Sequence, residues 1–579
     1  MRLTELSSNK RSFKTVTFNR SGLSLIVGKH SGVTRELTST YNGVGKSLVV
    51  ALINYCLGSN KNKAFDEHLD GWQFTLKFEH EGVAHAVSRW PNTTKIQFDG
   101  NEISITKFRK ELSALNVFEL PASDVNYLTL RSLMSFFLRS RRSSYVDYAK
   151  PVAKWTDYQS VLCQSFLLGL DTKRVTSKHE SKKKLDEQLA LANRYKQDSE
   201  LRSYYLGDRN AEVELVEIGA EIEKVAGNLA EFKVADDYAI RQENADSIHS
   251  QKLDATNKKV LLRNQLADIE AALKIKPDVS PERLVAVYEE SKIALPELVS
   301  KRLEQVQDFY KRLHENRLKR LADERKEIEK EIVEIVERTE KLSKLLDSEL
   351  QYLNAHKALD EYTENNRYLS ELISKRSRIE DYLNLLANYT EEAQKIKVEL
   401  GQANLETGKY LSGKQTADWL GTLMETFRGF AQRLYGAIAS GLVIKNDDGE
   451  NQTRFKIDAH IPYDQADGIN QGKIFCFDLL LLKLQKRHSV KFLFHDNRLF
   501  ADMDPNQRYS LVQTANEIAV ANDFQYIASV KEDAVDSVRE VAGEDFEDLF
   551  INSRILELDG DAGGAGKLLG IQVDMKYDE

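Results

Sequence analysis

The sequence predicts an α/β protein in which two strand-containing lobes are separated by a long antiparallel coiled coil. A glycine-rich loop between a short apolar run and a helical stretch marks the first lobe. A seven-residue apolar repeat runs through the middle of the chain, and strand-like runs return near its end. Because 579 residues are too many for one core, we predict three parts with the bounds 1–170, 171–400 and 401–579.

Composition narrows the classes of function. Hydrophobic residues make up 41% and charged residues 30%, which is typical of a folded soluble chain. The formal net charge of −8 argues against a globally basic nucleic-acid binder and leaves room for a local basic groove. The three cysteines lie far apart, and no zinc-binding spacing or apolar run of about 18 residues is present. We therefore expect a cytoplasmic protein with no membrane association, no zinc and no disulfide bonds.

The first lobe contains the second half of a phosphate-binding loop. The apolar run Leu23–Gly28 predicts a buried strand, and Asn42–Ser47 (NGVGKS) opens a helix. In such a loop glycines turn backbone N–H groups onto phosphate oxygens, a lysine reaches the β- and γ-phosphates, and a serine binds Mg²⁺. Thr40 stands where the first glycine of the Walker A pattern belongs, so Gly28 takes that place if residues 30–40 are an insertion. The predicted nucleotide-binding residues here are Gly28, Asn42, Gly43, Val44, Gly45, Lys46, Ser47 and Leu48.

The rest of this lobe alternates strands with turns. Phe13–Phe18 reads as a strand, and residues 72–98 read as an antiparallel meander. Tyr127–Tyr145 reads as a helix whose end concentrates cations among aromatic side chains. These cations either bind phosphate or are stabilised by the negative C-terminal end of the helix dipole, and the sequence leaves both interpretations open. They are Arg139, Arg141 and Arg142.

The middle of the chain predicts a coiled coil. Leu321, Ile328, Ile335 and Leu342 recur at every seventh position with charged residues between them. Proline residues interrupt the pattern within 274–296, which predicts that the chain reverses there. A parallel intermolecular rod is the alternative, and the strand-rich lobe that follows argues against it. We also predict helix breaks or bends at Gly207, Gly219 and Gly227.

The last lobe supplies the expected partner of the glycine loop. A hairpin over residues 440–460 is followed by residues 467–473 and an apolar helix, Ile474–Leu484. The run Val490–Asp496 predicts a buried strand that ends in a carboxylate, the position from which an NTPase holds Mg²⁺ through water. Residues 563–567 (GGAGK) mimic a phosphate loop, but we interpret them as a turn before a final strand at 571–573.

Together these features resemble the SMC-like branch of the ABC ATPases, coiled-coil proteins that act in chromosome organisation and DNA break repair. The resemblance implies an ABC-type ATPase head assembled from the N- and C-terminal lobes, with ATP and Mg²⁺ bound between two heads. It implies that Lys46 and Ser47 belong to Walker A and that Asp496 is the Walker B aspartate. The positions that match the signature motif, where the family has S-G-G-E, are Asn470, Gln471, Gly472 and Lys473. Residues 501–504 resemble the D-loop.

The sequence departs from that family at the catalytic base. Asn497 occupies the position of the family's glutamate and cannot accept a proton from water. Either hydrolysis is slow and ATP acts mainly as a clamp that closes the dimer, or another residue substitutes as the base: His495, Asp502 or Asp504. Ser529 or Lys531 lies near the expected position of the family's switch histidine. Two glutamines compete for the Q-loop, Gln159 and Gln164, and we include Gln159 with Ser47 and Asp496 among the predicted metal ligands.

A finer resemblance points to an uncharacterised bacterial family suggested to supply the ATPase of multi-component anti-phage defence systems. It rests on Leu57-Gly58-Ser59, on His495-Asp496-Asn497 and on the closing residues 567–570. It implies a homodimer through the heads, double-stranded DNA, a nuclease or other effector, and a small adaptor. The alternative is a nucleotide-gated scaffold whose coil binds proteins with little turnover. A small-molecule kinase would not require the coil.

Overall fold

The computed structural model describes the chain except residues 31–42, 123–124, 199–204, 206–209, 231–235, 275–296, 354–358, 574 and 576–579. The chain divides into two compact units. One consists of residues 1–184 and 396–579, and the other of residues 185–395. The two ends of the sequence therefore belong to a single unit.

The fold class is mixed α/β with long helices, as predicted. The strands are β1 Arg2–Ser8, β2 Val16–Thr17, β3 Gly22–Lys29, β4 Phe74–His80, β5 Val83–Arg89, β6 Lys95–Phe98, β7 Asn101–Ser104, β8 Gly441–Asn446, β9 Phe455–His460, β10 Phe492–His495, β11 Gln525–Lys531 and β12 Arg554–Asp559. The helices are α1 Lys46–Cys56, α2 Lys63–His68, α3 Ile105–Ala114, α4 Leu130–Met134, α5 Asp157–Leu167, α6 Thr172–Gln197, α7 Ala211–Ala230, α8 Asp236–Lys274, α9 Glu297–Leu353, α10 Leu359–Ser412, α11 Lys414–Tyr435, α12 Asp467–Leu484, α13 Pro505–Ala521, α14 Glu532–Asp536 and α15 Arg539–Ala542.

A parallel sheet joins the two ends of the chain. Its strand order is β10-β11-β3-β12, and every adjacent pair is parallel. The N-terminal strand β3 therefore lies between two strands that come from the last 60 residues of the sequence. Seven of its eight residues are buried, which explains why Leu23–Gly28 reads as a continuous apolar run. The carboxyl ends of these strands share one edge of the sheet.

Antiparallel strands complete this unit. The larger sheet has the order β2-β1-β4-β5-β6-β7 and contains the meander expected over residues 72–98. A separate hairpin pairs β8 with β9. The final strand predicted at 571–573 is wrong, because β12 is the last strand among the described residues and residues 563–566 form a short 3₁₀ helix.

The helix predicted over Tyr127–Tyr145 is also wrong. Only Leu130–Met134 is α-helical, residues 135–137 form turns, and Leu138 then bridges Phe494 of β10 in parallel. Phe136, Phe137 and Leu138 are all buried. The Phe136 and Phe137 N–H groups donate to the carbonyls of Leu133 and Met134, so tight turns end the helix before the bridge to β10.

In the second unit, α8 and α9 run antiparallel. Ion pairs link Arg241 to Glu349, Lys258 to Glu331 and Arg325 to Glu270, so the partner number falls as the residue number on α8 rises. Leu262, Ile335 and Leu342 are buried in the seam between these helices. The predicted reversal at 274–296 lies, apart from Lys274, outside the described residues.

A second apolar cluster joins α7 to α10. It includes Ile218 and Val225 on α7 together with Leu372 and Ile379 on α10. A break at Gly219 or Gly227 is wrong, because α7 is continuous through both positions, while a bend there stays a prediction. A glycine inside a helix lowers helix stability by about 1 kcal/mol, and this buried face is sufficient to offset that amount. Gly207 lies outside the described residues.

Candidate functional site

The glycine loop adopts the backbone conformation that its sequence requires. Gly43 and Gly45 have φ angles of 79° and 105°, in the left-handed region that favours glycine. Gly45 is the N-cap of α1, which begins at Lys46. Helix N-termini carry partial positive charge and uncapped N–H groups, so this end of α1 is suited to an anion. Leu48 is buried beneath the loop, and Asn42 lies outside the described residues.

Lys46 lies across the carboxyl end of β3. A Cβ atom added to Gly28 would come within 2.4 Å of Lys46 Nζ, so the absence of a side chain at position 28 makes room for the lysine. The Lys46 side chain is 7% exposed. Burial lowers the pKa of Lys46 to about 8, with Lys531 acting in the same direction and Asp496 opposing it. The ammonium group is therefore poorly solvated and would gain from a phosphate anion.

Asp496 meets the loop from the other end of the sequence. Ser47 Oγ donates a hydrogen bond to Asp496 Oδ2 at 2.8 Å, although the two residues are 449 positions apart. Ser529 Oγ, from β11, donates to Asp496 Oδ1. Asp496 is buried, and its backbone N–H donates to Tyr145 Oη at 2.7 Å. Asp496 is thus held at its backbone and at both carboxylate oxygens where β3, β10 and β11 end, and Arg498 Nε lies 3.7 Å from Oδ2.

This pair of oxygens fits Mg²⁺. Two neighbouring ligands of an octahedral Mg²⁺, each at about 2.0–2.1 Å from the ion, lie roughly 2.9 Å apart. Ser47 Oγ and Asp496 Oδ2 are separated by 2.8 Å. One hydroxyl and one carboxylate are the small protein ligand set that Mg²⁺ takes when a nucleotide supplies further oxygens. The described residues contain no cluster of three or more His, Cys, Asp or Glu suited to a metal ion.

The structure argues against His495 as a catalytic base. His495 is fully enclosed, with Nδ1 bonded to Tyr526 Oη and Nε2 bonded to Asp478 Oδ2, each at 3.1 Å. Both ring nitrogens are therefore engaged with protein groups. Burial also lowers the pKa of His495. We assign it to a structural network instead.

That network also corrects the role of Arg139. Its guanidinium forms a bidentate ion pair with Asp478 at 2.5 and 2.8 Å and donates to the carbonyls of Ser144 and Tyr148. Both charged side chains are 0% exposed, so Arg139 does not face a ligand or the end of a helix. Arg141 and Arg142 are exposed. A lone aspartate inside the apolar run of α12 was the signal that a buried cation had to accompany it.

Asn497 and Asp504 lie close to the site in sequence but already have backbone partners. Asn497 Oδ1 accepts the Lys531 N–H at 3.1 Å, and its own N–H donates to Ser529 Oγ. Asp504 caps α13 by accepting the Gln507 N–H. Asp502 Oδ2 accepts from Gln471 Nε2. A role for any of them in activating water stays a prediction.

The signature-like residues occupy the first turns of α12, which begins at Asp467 rather than at Ile474. Asn470 donates to the Val146 carbonyl and Lys473 donates to Asp464. A Cβ atom on Gly472 would lie 1.9 Å from Tyr435 Oη, so only glycine fits there. These contacts join Asn470–Lys473 to neighbouring loops rather than to Ser47 or Asp496, and their proposed partner is a second copy of the chain.

Gln159 belongs to the start of α5. Its side-chain oxygen accepts the Thr156 N–H in a reciprocal capping box. Gln164 is buried and donates to Ser160 Oγ. Neither glutamine bonds to Ser47 or Asp496 in the part of the chain that the structure describes, and a metal-binding role for Gln159 remains a prediction.

The sequence analysis missed a contact between the chain terminus and the glycine loop. The Leu568 N–H donates to the Val44 carbonyl at 3.0 Å, and Leu568 Cβ would lie 2.6 Å from a Cβ on Gly45. Leu568 is completely buried, and its own carbonyl accepts the Lys14 N–H. Residues 566–570 therefore hold the glycine loop from outside the parallel sheet.

Comparison of the sequence with known proteins finds distant relatives. A family model described as "Uncharacterised protein conserved in bacteria (DUF2326)" matches residues 430–573, about a quarter of the chain. The "Uncharacterized protein YydD" of Bacillus subtilis (strain 168) is 21% identical over 570 residues, which cover 89% of this chain and 90% of that protein.

Solved structures of Smc head domains match most of the chain with low TM-scores. The Smc head domain with a coiled coil and joint from Pyrococcus yayanosii is 15% identical with a TM-score of 0.34 over 92% of both chains. The Smc head with an extended coiled coil bound to the C-terminal domain of ScpA, from Pyrococcus furiosus, is 11% identical with a TM-score of 0.32 over 92% of this chain and 90% of that one. Such distant likeness transfers no site residue. None of the described helices is long and apolar enough to span a bilayer.

We predict that Leu568→Ala loosens the glycine loop. Removing a buried leucine lowers the free energy of unfolding by about 2–5 kcal/mol and withdraws the packing that anchors residue 568, whose N–H and Cβ meet the glycine loop. Hydrogen exchange should become faster in the peptide covering residues 43–49. Leu569→Ala is the matched control, since it removes a neighbouring buried leucine. Equal acceleration in both variants would contradict a specific hold on the loop.

Proposed function

We propose that this protein binds ATP with Mg²⁺ at the shared edge of β3, β10 and β11. The observation that carries the proposal is the contact between Ser47 and Asp496, with Lys46 and the N-terminus of α1 beside it. Lys46 would hold the β- and γ-phosphates, while Ser47 and Asp496 would hold Mg²⁺. Bound Mg²⁺ neutralises developing charge on the phosphates during transfer.

We further propose that ATP joins two heads of this SMC-like protein. The residues Asn470–Lys473 would approach the γ-phosphate of the partner's ATP, in keeping with the family resemblance. The same resemblance supports engagement of double-stranded DNA and a nuclease or adaptor partner in anti-phage defence or DNA repair. The alternative function is a nucleotide-gated scaffold with little turnover, and the specific observation in its favour is the amide of Asn497 at the base position.

We expect ATP with Mg²⁺ to double the mass of the chain from its monomer value of 66.1 kDa. Lys46→Ala should abolish this change because it removes the cation that meets the phosphates. Light scattering with and without ATP measures it, and Lys107→Ala on the exposed face of α3 is the control. If ATP binds while the mass and radius stay constant, the paired-head mechanism is wrong and the scaffold is favoured. If no ATP binds, the nucleotide site itself is wrong.

We predict that Asn497→Asp raises the rate of ATP turnover at least about tenfold. A positioned general base contributes about 10²- to 10⁴-fold, and the carboxylate can keep the bond to the Lys531 N–H. Steady-state phosphate release measures the rate. Asn497→Ala supplies no base and should not exceed the native rate. If Asn497→Asp turns over ATP at the native rate, the general base is another residue.

ATP affinity should fall as the pH rises from 7.5 to 9.5. With its pKa near 8, Lys46 loses its proton over this range in the free protein, whereas a bound phosphate favours the protonated form. Above the pKa of Lys46 in the free protein, the ATP affinity should fall by up to about tenfold per pH unit. Calorimetric titration at several pH values measures it. Lys46→Arg keeps its charge throughout, so an equally steep profile in that variant would contradict the assignment to Lys46.

A further inference from the structure

A cavity lies away from the glycine loop. A cavity of about 780 Å³ is bounded by the C-terminal half of α1, by residues 59–68, by α4 and by residues 140–152. None of Gly43–Ser47 and neither Asp496 nor Asn497 lines it. Its volume falls within the roughly 300–1,000 Å³ that small-molecule sites occupy.

The cavity wall carries an excess of positive charge. Lys61, Lys63, Arg131 and Arg141 line it, and the acidic side chain among the lining residues is Glu67. Glu67 lies 3.6 Å from Lys63, as an exposed pair within α2. Cationic residues therefore outnumber carboxylates among the lining residues. Such a concave basic surface concentrates anions.

Three arginines converge beneath the loop that forms one side of the cavity, and two of them are satisfied. Arg89 donates to the carbonyls of Tyr55 and Ser59. Arg109 donates to the Gly58 carbonyl and to Asn60 Oδ1. These bonds go to acceptors within residues 55–60, and the third arginine takes part in none of them.

That third arginine is Arg131. It is partly buried, and among the described residues it forms no hydrogen bond or ion pair. Burial lowers its pKa to about 10, and Arg109, Arg89 and Arg141 add to the effect. A guanidinium so placed is destabilising unless an anion accompanies it. Its planar donors match two oxygens of one phosphate.

The rest of the lining suits a ligand with an apolar part. Leu130, Met134 and Leu138 contribute apolar surface, and Asn54 Nδ2 bonds to Ser140 Oγ at 3.1 Å on the opposite side. A compact phosphate-bearing molecule would place its charge on the arginines and its organic part on this floor. A bare extended surface for a nucleic-acid backbone would not need such depth.

We propose that this cavity binds a phosphate-bearing ligand through a bidentate contact from Arg131, with Arg141 at the rim. The phosphate belongs either to a free small molecule or to the 5′ end of a nucleic-acid strand. The proposal is independent of ATP at Lys46, because the two sites share no lining residue.

The test uses the full-length chain carrying Lys46→Ala, so that the glycine loop does not compete for phosphate. Pyrophosphate and a short single-stranded oligonucleotide, with and without a 5′-phosphate, are titrated calorimetrically. Binding of pyrophosphate supports a free small ligand, and binding of the 5′-phosphorylated strand alone supports a strand end. Equal binding of both oligonucleotides without pyrophosphate binding, or no binding of any probe, overturns the proposal.

Variants then locate the binding. Arg131→Gln should weaken binding of the active probe by at least about tenfold, since a charge-assisted hydrogen bond is lost. Arg141→Gln, an exposed change that preserves the fold, should weaken it about threefold. Arg142→Gln is the matched control, because this neighbouring exposed arginine does not line the cavity. Unchanged affinity in both Arg131→Gln and Arg141→Gln places the binding elsewhere and overturns the assignment.

Discussion

The site depends on the insertion of β3 between β11 and β12. Every ladder hydrogen bond of β3 goes to a strand from the far end of the sequence. Because parallel strands end at one edge of a sheet, this pairing brings Ser47, Asp496 and Ser529 together. The long insertion between the two ends adds little to the entropic penalty of closing the sheet, since each doubling of a loop costs only about 0.6 kcal/mol.

A fully buried polar network supports the carboxyl end of β10. Arg139 and Asp478 form its ion pair, His495 bonds to Asp478, and Tyr526 bonds to His495. A buried ion pair adds little net stability relative to apolar packing, yet loss of one partner costs about 3–5 kcal/mol because the other charge is stranded. These bonds tie Arg139, α12 and β11 to His495. The network therefore fixes the position of Asp496, the next residue along the chain.

The sequence predicted the parts of the fold that have a local signature. A short stretch of sequence is enough to recognise three of these signatures. They are the apolar run of β3, the glycines before α1 and the heptad repeat of α9. The error at Tyr127–Tyr145 has the opposite cause. A run such as Phe136–Leu138 reads equally as helix or buried strand, and its bridge to Phe494 lies more than 350 residues away. No local pattern indicated that bridge or the hold of Leu568 on Val44.

The distribution of groups around Asp496 bears on how the proposed ATP site would act. Lys46, Ser47 and Asp496 are groups suited to phosphate and metal, while Asn497, where the sequence resemblance leads one to expect a catalytic base, carries an amide. Asn497 is anchored at both its backbone and its side chain to residues at the end of β11, so it cannot swing toward another role without breaking two bonds. A site that binds ATP but lacks a general base hydrolyses ATP slowly, so the ATP-bound state lasts longer. Under the proposal, ATP would then act chiefly as a clamp between heads, and slow hydrolysis would set how long the clamp stays closed.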